Sequence, residues 1–209
     1  MYDSVRSLLE LVQEAVSPWH TVQAVSKRLS KAGFQPLALG EKWQLESGKS
    51  YYVEAFDSTV LAFTIGCNGY TEANSLRIAA SHTDFPGLRI KPQASVIKDG
   101  YGVLNIESYG GLILSSWQDR PLSIAGKITL KGQDAFHPHV RLVDFAKPLL
   151  TIPELASHMN RKVNEGVALK KQKEMLPLMA VLGEEGGKNF FYPWLGRGLG
   201  CGPGEGISY

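Results

Sequence analysis

Apolar positions set the first elements of the chain. Val5, Leu8, Leu9, Leu11, Val12 and Val16 recur at helical spacing. Ser17-Pro18 closes that segment near Val16, because the residue before a proline is pushed out of helical geometry. Val22, Val25, Leu29 and Ala32 repeat the pattern, and Gly33 stands where a left-handed cap belongs. The period then changes. Ser50–Ala55 and Thr59–Ile65 are β-rich runs separated by Asp57-Ser58, which predicts a hairpin. Ser75–Ala80 is a near-continuous apolar run, the signature of a strand buried on both faces, and it delivers Ser81-His82-Thr83-Asp84 to its carboxyl end.

Beyond Pro86 the expected strands become short and are punctuated by glycine: Leu88–Lys91, Ala94–Lys98, Val103–Ser108, Leu112–Ser116 and Leu122–Leu130. Close spacing of this kind predicts a small sandwich or barrel, with a domain boundary near residue 91. Ile152–Met159 has the form of a helix start, with Thr151 as cap and Pro153 in the first turn. The last 27 residues hold nine of the 22 glycines, too many for a stable helix, and predict a poorly ordered tail over 183–209.

Composition narrows the class. A chain of 209 residues, 44% hydrophobic and 20% charged, is large enough to bury a core. A net charge of +2 creates no strong field, and the basic stretch Arg161–Lys173 lacks interleaved aromatics, so nucleic acid is not an expected partner. No apolar run approaches the roughly 20 residues that cross a bilayer, and the amino terminus has no leader pattern, so a cytoplasmic location without membrane contact is expected. Cys67 and Cys201 are expected to be free thiols.

The sharpest chemical feature is His82-Thr83-Asp84 at a strand end, where ligands bind in open α/β sheets. A neutral imidazole there can coordinate zinc, and a carboxylate two residues on can orient it. A hydrogen-bonded structural histidine is the commoner occupant of such a place. His137 and His139 could chelate from one face of an extended segment, although a polar turn is the simpler setting. His158 has the neighbourhood of a surface residue, and His20 that of a turn-packing one. No Gly-x-Ser-x-Gly elbow, Walker loop, His-Glu-x-x-His helix or dinucleotide fingerprint occurs.

Five blocks in order carry a family resemblance: Ser17–Val22 with Leu29–Phe34, Ala80–Arg89, Glu107–Gly111, Trp117–Gly126 and Ile152–Asn164. Together they resemble the aspartyl aminopeptidase family of zinc metallopeptidases over about residues 1–182. The resemblance implies an α/β fold, with part of a zinc-exopeptidase catalytic sandwich at 1–90. It also implies an incomplete β-rich dimerisation domain at 91–182 and a homo-oligomer. The implied activity removes amino-terminal Asp or Glu from peptide substrates with two zinc ions. By the same resemblance His82 falls on a metal ligand, Asp84 on the carboxylate that orients the site, and His158 on a histidine supplied to the partner subunit's active site. The bridging aspartate, the glutamate general base, the remaining carboxylate ligand and a second histidine are implied to come from a later segment. The chain is therefore expected to be a truncated, inactive form. Truncation, an altered reading frame and a degenerate fragment all fit. A noncatalytic, self-associating module is the alternative, and an unrelated β-rich binding module would need all five blocks to be coincidence.

Overall fold

A computed structural model describes residues 2–67, 75–134, 136–183 and 187–201, and the backbone of 207–208. The chain divides into two compact units, Met1–Phe85 and Pro86–Tyr209. The division falls just before Pro86.

In the first unit, α1 spans Asp3–Glu14 and α2 spans Pro18–Lys31, close to the limits the pattern predicts. Ser17 caps α2 by accepting the His20 backbone N–H, and Pro18 opens it, where a missing N–H costs nothing. Gly33 has φ +87°, and the chain leaves the helix through two bonds, Gly33 N–H to the Ser30 carbonyl and Phe34 N–H to the Leu29 carbonyl, both 3.0 Å. That is the six-to-one and five-to-two pattern that satisfies the last carbonyls of a helix. Arg28 ties the two helices together, donating to the Ser7 carbonyl and hydroxyl and to Glu14 at 3.2 Å.

Strands β1 (Gln35–Leu37), β2 (Ser50–Ala55) and β3 (Thr59–Thr64) form one sheet, with β1 parallel and β3 antiparallel to β2. The expected hairpin is present, turned by Phe56 and Asp57 in left-handed conformation. Tyr51, Tyr52 and Val53 are consecutive and all buried, so both faces of β2 are covered. Tyr52 faces α2, where its hydroxyl meets Ser30 Oγ at 2.9 Å. Tyr51 faces the other way: its ring packs on Phe63, and its hydroxyl accepts the Glu46 N–H at 2.9 Å.

The apolar run Ser75–Ala80 is not a strand. It is irregular, and Leu76 and Ile78 are 78% and 84% exposed. An internal strand needs a hydrogen-bonding neighbour on each side, and among the described residues no strand pairs with this segment.

In the second unit, Leu88–Lys91 and Ala94–Lys98 merge into one strand, β4 (Gly87–Lys98), whose register against β5 (Tyr101–Tyr109) shifts between Ile90 and Ser95. Pro92, which cannot donate to a ladder, lies in that irregular stretch. Strand β6 (Ala125–Leu130) is shorter than expected and pairs with β7 (His139–Asp144). Leu112–Ser116 gives no strand; Leu114–Trp117 forms a 3-10 turn instead. A single helical turn, α3 (Lys171–Glu174), precedes β8 (Leu178–Val181), which pairs with β5. The helix expected at Ile152–Met159 does not form. Thr151 and Leu178 exchange backbone hydrogen bonds, Ile152 is 0% exposed, and no regular structure follows before a turn at Ala156–Met159. Long-range pairing at Thr151 and burial of Ile152 outweigh the local helix signal.

Of the glycine-rich end, 184–186, 202–206 and 209 lie outside the described residues, and the described part departs from expectation. Helix α4 (Phe191–Leu199) forms there with Phe191 and Leu195 buried, and Gly200 closes it at φ +66°. The backbone of β9 (Ile207–Ser208) pairs with β6. The cost of glycine within α4 is offset by packing of Phe191, Trp194 and Leu195 against the core of Ala94, Leu104, Ile106, Leu150, Ile152 and Met175. Gly102 makes room for this end of the chain: an added Cβ would lie 3.0 Å from both Leu182 Cδ1 and Phe190 Cζ.

Candidate functional site

The segment carrying His82 is held by the hairpin it follows. Thr83 Oγ1 donates to the Ser58 carbonyl at 2.7 Å, anchoring the segment to the β2–β3 turn. On either side of that anchor, His82 Nδ1 and Asp84 Oδ1 lie 2.8 Å apart. The His82 side chain is 87% exposed, whereas Asp84 is half-buried. A carboxylate on one ring nitrogen fixes the ring's orientation and leaves the other nitrogen, here Nε2, for a ligand. The dyad can thus present one oriented imidazole to a metal.

It does not make a complete site. Among the described residues no three of His, Cys, Asp and Glu come together as a metal-binding group. Zinc takes three or four protein ligands in the sites that hold it firmly, and the residues present do not supply that set.

The other histidines each have a local setting of their own. His158 is exposed in the Ala156–Met159 turn of the second unit, and the described residues give its ring no hydrogen-bond or ion-pair partner. His137 bonds to both carboxylate oxygens of Asp134, at 2.9 and 2.8 Å, and that hydrogen bond is the first cause of an Asp134 pKa below its ordinary value; backbone N–H donors from Phe136 and His137 add to it. His139 opens β7 opposite Leu130. Neither His137 nor His139 belongs to a group of three or more potential metal ligands among the described residues. His20 sits in the first turn of α2, with Nδ1 2.7 Å from the Ser17 hydroxyl. Cys67 and Cys201 are free thiols.

Comparison with known proteins decides the family. The model of a family described as aminopeptidase I zinc metalloprotease (M18) matches residues 11–190. This chain belongs to the M18 family of aminopeptidases. A protein described as probable M18 family aminopeptidase 2 of Clostridium novyi (strain NT) is 41% identical over 183 residues, 87% of this chain and 42% of its own length. The chain therefore spans about two-fifths of the curated M18 relatives it matches. Among solved structures, a chain of the Ape4 and Nbr1 complex superposes with a TM-score of 0.82 at 32% identity, covering 90% of this chain and 37% of that one. Chaetomium thermophilum mApe1 gives 0.78 at 25% identity, covering 96% and 48%. The superposed structures show a mixed α/β fold, and zinc is the metal named in the family's description.

One residue escaped the reading of the sequence. Asp119 has φ +51°, a conformation few non-glycine residues adopt, and it holds the segment that leads to His158. Its block, Trp117–Gly126, stood out in the sequence, but nothing there singled out this carboxylate.

Proposed function

We propose that this chain is the His82-bearing part of a zinc-dependent aminopeptidase that removes amino-terminal Asp or Glu from peptides, and that the 209-residue chain alone is inactive. The observation that carries the reading is the 2.8 Å dyad of His82 and Asp84, in a chain of the M18 family. His82 would ligate zinc through Nε2, and Asp84 would hold the ring. When bound, zinc supplies Lewis-acid activation of water and the scissile carbonyl. What the described residues themselves do is narrower: Thr83 pins the segment, Asp84 fixes the imidazole, and His158, on an exposed turn of the second unit, is available to a peptide bound by a partner subunit. Donor count supports the inactive reading: the described residues offer His82 no group of further ligands, and a single imidazole cannot hold two zinc ions.

A second reading is a noncatalytic, self-associating module. It is favoured by apolar surface left uncovered, such as Leu8, Leu9 and Val12 on one face of α1. In either reading residues 91–182 are the proposed dimerisation domain and the proposed setting is cytoplasmic. No helix among the described residues is long and apolar enough to cross a membrane.

Zinc stoichiometry, measured together with hydrolysis of chromogenic Asp and Glu substrates, tests the proposal on the chain and on His82→Ala. Weak zinc binding that depends on His82, without turnover, is the expected result. Two zinc ions per chain with turnover abolished in the variant would refute inactivity, and zinc binding indifferent to His82 would refute its role as ligand. Sedimentation tests self-association, and a strictly monomeric, folded chain would remove the dimerisation assignment.

A further inference from the structure

We propose that Asp119 is a positioning residue for His158: its carboxylate latches the segment that carries the histidine. This rests on the reading of His158 as a residue offered to bound peptide. The chain from Leu149 to Glu154 has no regular secondary structure, yet it is fixed almost residue by residue. Leu149 and Leu150 N–H both donate to the Leu122 carbonyl, and Leu122 N–H donates back to Leu150. Thr151 and Leu178 exchange bonds of 3.1 and 2.7 Å. Asp119 then contributes two contacts of its own: its N–H donates to the Ile152 carbonyl at 2.9 Å, and its Oδ1 accepts the Glu154 N–H at 3.1 Å.

Glu154 is the last residue so held. From there the chain runs to the Ala156–Met159 turn, closed by the Met159 N–H on the Ala156 carbonyl at 2.8 Å, with His158 exposed within it. The Asp119 carboxylate is thus the final fixed point before the histidine. Its left-handed backbone is what lets one residue reach both Ile152 and Glu154, and aspartate is among the few non-glycine residues that tolerate such a conformation. A carboxylate accepting a backbone N–H is also a stronger bond than a neutral acceptor makes. Asp119 is itself exposed, so burial does not account for an acid with left-handed backbone at this position.

Two variants of the full 209-residue chain separate a latch from a general structural role. Asp119→Gly keeps the left-handed backbone and removes the carboxylate, while Asp119→Asn keeps an acceptor oxygen. In Asp119→Gly, amide exchange at Glu154 and tryptic cleavage after Arg161 and Lys162 are expected to rise about tenfold, and the His158 ring resonance to move. Asp119→Asn should fall between the parent chain and Asp119→Gly, and the amides of Leu104 and Ile106 should keep their protection in both. Unchanged exchange at Glu154 in Asp119→Gly, or a rise shared equally by Leu104 and Ile106, overturns the proposal. A titration with a peptide beginning in Asp, run on the parent, Asp119→Gly and His158→Ala, tests the underlying reading separately. No binding, or binding that survives His158→Ala, removes the role of His158 and with it the purpose of the latch, whatever the exchange data show. Binding lost in His158→Ala but intact in Asp119→Gly removes the positioning role alone.

Discussion

His82 Nδ1 lies 2.8 Å from Asp84 Oδ1, and Thr83 between them is bound to the Ser58 carbonyl, so the ring is oriented by a segment that is itself anchored. Replacing the carboxylate should free the imidazole without unfolding the hairpin. In Asp84→Ala, nitrogen chemical shifts should show His82 changing from one dominant neutral tautomer, protonated at Nδ1, to a mixture. Whatever zinc affinity His82 confers should fall by roughly 10–100-fold. A tautomer unchanged in the variant would show that Asp84 does not orient the ring.

Acid should act on the contacts of Asp134 with Phe136 and His137. The His137 hydrogen bond and the backbone N–H donors of Phe136 and His137 hold its carboxyl below the ordinary value. For an acid with a depressed folded pKa, the stabilising contribution is complete above the unfolded value of about 3.9 and is lost as pH falls through the lower folded value. A carboxyl carbon titration should therefore place the Asp134 midpoint below that of an unstructured aspartate, and His137→Ala should move it upward.

Gly33 is required by its backbone and not by crowding. It has φ +87°, and an added Cβ there would meet nothing within 4 Å. Gly33→Ala should cost about 1–2 kcal/mol, the left-handed penalty alone, seen as a lower denaturation midpoint of the first unit with an unchanged slope.

Leu104, 0% exposed, stands at the centre of the second unit's core beside Ile106 and Met175. Leu104→Ala should cost about 2–5 kcal/mol. Chemical denaturation followed by Trp194 fluorescence should show it, since Trp194 packs against the same core.

Local signals were legible where the chain satisfies itself locally. The glycine that ends α2 and the β2–β3 hairpin each depend on residues a few positions apart, and each formed as expected. The His82–Asp84 pair was legible for the same reason, being two residues apart. What the sequence hid depends on distant partners. Ser75–Ala80 has the composition of an internal strand, yet among the described residues no strand pairs with it. Ile152 and Thr151 are drawn out of a helix by Asp119 and Leu178. The helix Phe191–Leu199 exists because Phe191 and Leu195 enter a core built far upstream, which no count of local glycines could foresee.

The Phe191 backbone N–H donates to Ser95 Oγ at 3.0 Å across 96 positions of sequence, and Phe190 rests over the backbone gap at Gly102. The second unit therefore has a high contact order, and its core cannot be sealed during synthesis until the stretch around Phe191 has left the ribosome. Until then Leu104, Ile106 and Met175 lack their last cover, and a nascent chain stalled short of this point should be a preferred client for chaperones that bind apolar segments.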